Sequence, residues 1–154
     1  MLLDFGADRN SLLINVGGGV VTDMGGFAAS TFKRGIDFVQ VPTTLLSQVD
    51  ASVGGKTGID LGSVKNIIGT FTQPKAVFIS TGFLKTLDQR QVVSGFAEMI
   101  KHGLIYDAGY FEALQAARPE SISTKLIYRS VEIKNEVVTT DPYEKGLRKI
   151  LNFA

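Results

Sequence analysis

Three groups of residues in this 154-residue chain have types and spacings that chemistry uses. The first is Gly17-Gly18-Gly19, directly after the apolar run Ser11–Val16. Glycines let a backbone approach a ligand closely, and a helix starting behind them offers unpaired N–H donors and a partial positive charge to a phosphate. Read as G-x-G-x-x-G, the run fails at its last position, Thr22, so a phosphate cradle and a tight structural turn both stay open. The second group is Gly55-Lys56-Thr57, with Lys65-Asn66 close behind. It resembles the end of a P-loop, but Asp50 stands where the first glycine belongs and a helix precedes it where a strand is needed. The ATPase reading is therefore rejected, and Lys56 remains a point charge for a phosphate or carboxylate. The third group is Glu98, Lys101 and His102 on one predicted helix. Glu98 and Lys101 share a face, as a surface ion pair or as an acid and cation in a site. Glu98 and His102, at i and i+4, are one arm of a metal site at most, and a lone histidine is read as a packed residue. Lys134, Arg148, Lys149 and Asn152 fall on predicted helices, where solvated faces account for such residues.

The elements that must position these groups follow from periodicity and punctuation. Ser11–Val16 reads as a short buried strand and Val20 to Lys33 as a helix with Asp23 in its first turn. Asp37–Val41 is a second strand stopped by Pro42. Thr43 or Thr44 caps a short helix to about Asp50. Residues 52–75 read as a hairpin and loops, and Ala76–Ser80 as a third strand. This alternation predicts a mostly parallel, helix-covered sheet. Asp88 then caps a helix to about Tyr106, and others run over Ala108–Ala117, Ser121–Thr140 and from Gly146 to Phe153. In the third of these four helices, Ile122, Leu126, Ile133 and Val137 mark one face. Thirteen of the 17 glycines lie in residues 1–82, whereas 19 of the 31 charged residues lie in 83–154. The chain is therefore split into residues 1–87, α/β, and residues 88–154, helical.

Composition narrows the chemistry. With no cysteine, disulfides, thiolate metal sites and cysteine nucleophiles are excluded within the chain, and one histidine excludes a site needing two from it. A formal net charge of +1 suggests neither a nucleic-acid partner nor a polyacid-binding surface. No apolar run approaches the roughly 18 residues of a membrane span, and no basic region accompanies Met1-Leu2-Leu3 as in a signal peptide. A cytoplasmic protein is the expectation.

In combination, the stretches GGGVVTDMGGFAASTFKRG (17–35), VPTTLLSQVDASVGGKTGID (41–60), KNIIGTFTQP (65–74), FLKTL (83–87), GFAEMIKHGLIYD (95–107) and EIKNEVVTTDPYEKGLRKILNF (132–153) resemble the 3-dehydroquinate synthases, in that family's order. The resemblance implies a Rossmann-like α/β nucleotide-binding domain followed by an all-helical domain, with the active site between them. It implies a homodimer that uses NAD and a divalent metal, zinc or cobalt. The substrate would be 3-deoxy-D-arabino-heptulosonate 7-phosphate and the product 3-dehydroquinate, in the shikimate route to aromatic amino acids. In the implied reaction the C5 hydroxyl is transiently oxidised, phosphate is eliminated, the ketone is reduced again and an aldol step closes the ring, so NAD is not consumed. The substrate's own phosphate serves as base.

By the same resemblance Gly17, Gly18, Gly19, Val20 and Val21 cradle the NAD pyrophosphate, with Asp23 beside them. Thr43, Thr44, Lys56, Lys65, Phe83, Leu84, Lys85 and Thr86 also contact the dinucleotide. Asp50, Lys56, Asn66, Lys101, Lys134, Arg148 and Asn152 match substrate positions, with Lys101, Lys134, Arg148 and Asn152 as the catalytic set. Arg34 matches an arginine that reaches the substrate phosphate across the dimer, and Glu98 a carboxylate ligand of the metal. Val64 replaces a usual glycine, Gly25 a usual threonine or serine, and His102 a common tyrosine, which reads as packing. The resemblance further implies an interior stretch of a longer enzyme, preceded by further strands and followed by a Gly-His-Thr-x-Gly-His run with the other metal ligands. Glu98 would then be one ligand of three, and residues 1–154 alone would not close a zinc site. Rival readings are a related sugar-phosphate cyclase such as 2-deoxy-scyllo-inosose synthase, an iron-type alcohol dehydrogenase, and a non-catalytic fragment.

Overall fold

A computed structural model describes residues 1–151. Strand β1 (Leu12–Gly17) runs into helix α1 (Gly19–Thr31), which returns through a 3-10 turn at Phe32–Arg34 to strand β2 (Asp37–Pro42). β1 and β2 pair in parallel with Leu12 opposite Asp37 and Gly17 opposite Pro42. A helical segment opens at Leu45, and its stretch Ser47–Ala51 is π-helical, with the Ser52 amide donating to the Ser47 carbonyl at 3.0 Å. The antiparallel hairpin β3 (Lys56–Leu61) and β4 (Val64–Phe71) follows, and the chain then rejoins the sheet at β5 (Ala76–Val77), parallel to β2. The sheet order is β1-β2-β5.

The helical part is α2 (Gln89–Tyr106), α3 (Ala108–Gln115), α4 (Thr124–Thr140) and α5 (Leu147–Leu151). Short polar side chains set the starts. Asp88 accepts from the Arg90 amide, Asp107 from the Tyr110 amide and Ser123 from the Leu126 amide, satisfying N–H groups that have no partner inside the helix. The Ser123 cap and a 3-10 turn at Pro119–Ser121 move the start of α4 past the expected Ser121, so Ile122 packs on the core from outside the helix. Among the described residues no helix is long and apolar enough to cross a membrane.

Two sequence readings are corrected. β1 is not a buried strand: Leu12, Ile14 and Val16 are 53, 57 and 55% exposed, and only Asn15 is buried. Strand side chains alternate in direction, and only the Leu13/Asn15 face is turned toward α1 and the interior. The third strand is shorter than Ala76–Ser80, because ladder pairing holds only for Ala76 and Val77. The departure at Gly25 has a local cause: a Cβ there would lie 2.0 Å from Oδ1 of the buried Asn15.

The main core joins the two parts of the chain. Leu45 and Val49, from the segment after β2, pack with Phe96, Met99, Tyr110, Leu114, Ile127 and Ile133 of the helices. Gly95 on α2 permits this approach, since a Cβ there would stand 2.6 Å from both Leu45 Cβ and the Leu46 amide nitrogen. Gly95→Ala is expected to destabilise the chain by about 1–3 kcal/mol through overpacking. Gly109→Ala, at an uncrowded helical position whose nearest atom is 3.6 Å away, should stabilise it by roughly 0.5–1 kcal/mol. Urea denaturation of both variants beside the parent checks the opposite signs.

Candidate active site

The glycine junction lies at the C-terminal ends of the parallel strands, where open α/β sheets bind ligands. Gly18 caps α1 without any side-chain hydrogen bond, and the Val21 and Thr22 amides donate to its carbonyl. The loop after β2 lies against it: the Thr43 amide donates to the Gly17 carbonyl at 2.9 Å, and a Cβ on Gly18 would be 3.0 Å from Thr44 Cγ2. Gly17, Gly18 and Gly19 are half-buried and Val20 and Val21 exposed. Asp23 follows on α1 and reaches the cavity described below.

The other end of the Leu45–Ala51 segment meets α2 and α4. Asp50 Oδ1 is 2.5 Å from Nζ of Lys134, whose side chain is 3% exposed. Lys101 Nζ lies 2.6 Å from Glu98 Oε1. His102, fully buried, places Nε2 at 3.3 Å from Glu98 Oε1 and 4.0 Å from Asp50 Oδ1, and its Nδ1 makes a 2.7 Å hydrogen bond with Ser130 Oγ on α4. Burial works to raise the Glu98 carboxyl, but the His102 imidazole and the Lys101 ammonium outweigh it and hold Glu98 below its usual range.

These groups fit a divalent cation. Ligand atoms of Asp50, Glu98 and His102 all lie within 4.8 Å of one another. Asp50 Oδ1, Glu98 Oε1 and His102 Nε2 are buried and have no aligned hydrogen-bond partner, although ammonium groups stand close to both carboxylates. Carboxylate oxygen is a donor that zinc and cobalt accept, and an imidazole beside it either adds a nitrogen donor or holds the carboxylate as a hydrogen-bond donor.

A third region lies between α1 and the hairpin, a cavity of about 390 Å³ lined by Asp23, Lys56, Asn66 and Glu144 among others. Lys56 is paired with Glu144 at 2.5 Å. Asn66 is exposed in β4 with a left-handed backbone (φ 50°), its amide donating to Asp60 at 2.7 Å, and Lys65 beside it is exposed. Arg148 is 1% exposed; its guanidinium donates to the Pro142 and Gly54 carbonyls at 2.6 and 2.7 Å. The Gly54 conformation (φ 110°) and the lack of a Cβ, which would lie 2.6 Å from that guanidinium, both require glycine. Burial pulls the Arg148 pKa down against the carboxylates of Glu144, Asp141 and Asp50.

Asp50, Glu98, Lys101 and Lys134 thus come together, while Lys56 and Asn66 share the neighbouring cavity with Asp23. Arg34 is exposed in the 3-10 turn after α1 with φ 73°, at the end of the helix opposite the glycine junction. Phe83, Leu84, Lys85 and Thr86 form the 3-10 turn Thr81–Thr86, with Leu84 packed on the helical core. Asn152 lies outside the described residues. Two residues that the sequence reading does not include, Ser130 and Glu144, complete these contacts. A serine within an apolar helical face marks the first; nothing in local pattern marks the second.

Comparison with known proteins accounts for the arrangement. The 3-dehydroquinate synthase of a Nitratiruptor species is 54% identical over 154 residues, covering 99% of this chain and 44% of that protein. The chain thus spans less than half the length of the curated relatives it matches. The solved structure of 2-epi-5-epi-valiolone synthase from Streptomyces hygroscopicus subsp. jinggangensis 5008, with NAD+ and Zn2+ bound, superposes with a TM-score of 0.89 at 32% identity, over 99% of this chain and 45% of that one. A 2-deoxy-scyllo-inosose synthase complexed with carbaglucose-6-phosphate, NAD+ and Co2+ superposes with a TM-score of 0.88 at 32% identity, over 99% of this chain and 44% of the other. The family model for the 3-dehydroquinate synthase N-terminal region matches residues 1–94 and that for the C-terminal region residues 95–154, so from its glycine junction to α5 the chain belongs to the 3-dehydroquinate synthase family.

Proposed function

We propose that these residues are the part of a 3-dehydroquinate synthase that holds NAD, one metal ligand and most of the substrate contacts, in the conversion of 3-deoxy-D-arabino-heptulosonate 7-phosphate to 3-dehydroquinate and phosphate. The observation that carries this is the Leu45–Ala51 segment. Thr44, just before it, abuts Gly18, Ala51 at its end would meet a Cβ on Gly19 at 3.4 Å, and Asp50 lies beside Lys134 and the Glu98 helix, which supports a dinucleotide on the loop next to the charged cluster. The α/β part, residues 1–87, would be the nucleotide side and residues 88–154 the helical side of one cleft.

In this reading Gly17–Val21, Thr43 and Thr44 receive the pyrophosphate, and Asp23, Lys56, Lys65 and Phe83–Thr86 flank the rest of the NAD. Glu98 is a ligand of zinc or cobalt. A divalent metal supplies Lewis-acid polarisation of substrate hydroxyls, and NAD a reversible hydride acceptor. The chain's own residues do the positioning. Lys101, already held against Glu98, places a cation where a substrate hydroxyl or carboxylate would meet the metal face. Lys134 brings a charge into a water-poor spot, where it acts more strongly on an anion than it would in solvent. Asp50 holds that ammonium and offers a second carboxylate oxygen to a hydroxyl. Lys56 and Asn66 line the side where a phosphate or carboxylate enters, and Arg148 fixes the Gly54 backbone that carries Lys56. Asn152 completes the substrate set, and Arg34 reaches a neighbouring protomer's phosphate site in a cytoplasmic homodimer.

A related sugar-phosphate cyclase is the second reading, favoured by the two superposed structures. The higher identity to the synthases and the cation Lys134, suited to a substrate carboxylate, favour dehydroquinate synthesis.

Grafting residues 1–154 in place of the matching stretch of the Nitratiruptor enzyme is expected to give phosphate release from the heptulosonate without net NADH formation. Net NADH, or turnover of glucose 6-phosphate instead, would overturn the assignment. In the graft, Lys101→Ala should lower kcat by about 100-fold or more with an unchanged circular dichroism spectrum.

Asp23 gives a separate test. Burial first, and then the Asp50 charge, push its carboxyl up from 3.8 to about 6, with Lys65 opposing. The folded chain therefore binds this proton more tightly than the unfolded one, so stability falls as pH rises from about 4 to 6 and stays lower above. Asp23→Asn should leave the melting temperature of the chain unchanged near pH 3.5 and raise it at pH 8. Equal shifts at both pH values would contradict this account of Asp23.

A further inference from the structure

His102 has a place in this cluster that packing alone does not require. It is the chain's one histidine and is fully buried, at the point where α2, α4 and the Leu45–Ala51 segment meet. A side chain of mere filling size there would be apolar, since an imidazole brings two polar nitrogens that need partners. Each nitrogen faces a specific group. Nδ1 is tied to Ser130 Oγ at 2.7 Å, which fixes the plane of the ring. Nε2 is thereby aimed between two carboxylates, 3.3 Å from Glu98 Oε1 and 4.0 Å from Asp50 Oδ1. Two anionic oxygens facing one ring nitrogen are compatible with a proton on that nitrogen and with a bare lone pair on Nδ1, which the Ser130 hydroxyl then satisfies as donor. The Nε2–Oε1 contact is close but not aligned as a hydrogen bond.

We propose that His102, locked at Nδ1 by Ser130, is a positioning residue that orients the Glu98 carboxylate toward the metal by holding Oε1 through Nε2–H. This rests on the reading of Glu98 as a metal ligand. It differs from a ligand role for the histidine itself, because the nitrogen facing the carboxylates carries a proton and no free lone pair. Glu98 has several rotatable bonds, and its neighbour Lys101 is a flexible partner that the substrate would draw away. A fixed imidazole gives the carboxylate a partner that stays. Partners of this kind behind a ligand are worth about 10- to 100-fold in metal affinity.

Because the chain has a single histidine, the proton can be located directly. In the 154-residue chain labelled with 15N-histidine, long-range 1H–15N spectra at neutral pH should show the proton on Nε2 and an unprotonated Nδ1. A proton on Nδ1 with a bare Nε2 would overturn the proposal. In the grafted enzyme, Co2+ affinity measured by dialysis should fall about 10- to 100-fold in His102→Phe and recover most of that loss in His102→Gln, whose amide N–H can reach Glu98. Ser130→Ala, a smaller change that keeps the ring, should weaken Co2+ binding by about 10-fold, the low end of that range. Parental affinity in both His102→Phe and Ser130→Ala would refute the positioning role. Glu98→Gln should abolish Co2+ binding; if it does not, the assignment of Glu98 as ligand fails and not merely the role of His102.

Discussion

The structure depends on one close approach: the buried turn of helix after β2 against the glycine face of α2. Leu45 enters where Gly95 has no side chain, and the π-helical stretch that follows sets Asp50 toward α4. A regular α-helical turn would distribute side chains with a different angular step, and insertions of this kind recur where a side chain must be re-aimed at a site. The same short segment therefore serves as core and as scaffold. Its Leu45 and Val49 belong to the apolar cluster, the Thr44 that precedes it lies against the glycine junction, and its Asp50 carries the charge.

Electrostatics are arranged around that segment in opposed pairs. Asp50 and Lys134, Glu98 and Lys101, and Lys56 and Glu144 each bring a carboxylate to an ammonium. Pairing makes it possible to bury charges that would be costly alone. It also leaves the cluster nearly neutral, with its side chains already ordered by one another. Asp23 is the exception, held in its cavity near other carboxylates with only Lys65 opposing, and its raised pKa records the difference.

Much of this is legible from residues one after another. The glycine junction, the Asp88 cap, the hairpin and the Glu98–Lys101 face follow from local pattern because their determinants lie within a turn or two of each other. The exposure of β1 is not legible. An apolar run such as Leu12-Leu13-Ile14 reads alike whether both faces are covered or one, and coverage is decided by elements distant in sequence. The company of His102 escapes for the same reason. Glu98 is one turn away and visible, but Ser130 and Asp50 arrive from α4 and the post-β2 segment, and no periodicity reports such a meeting. Arg148 reads locally as one cation of a solvated face, whereas tertiary packing gives it backbone carbonyls to clasp.

The clasp between Arg148 and the Gly54 carbonyl ties residues 94 positions apart. Contacts of such separation incur the full loop-closure entropy before they return any energy, and they tend to form after local helices and hairpins. The shape of the loop that presents Lys56 therefore depends on α5 being docked. Within the described residues α5 is anchored by the buried Arg148 and Leu151. The geometry around Lys56 is in this sense set by a helix far along the chain as much as by the hairpin that carries it.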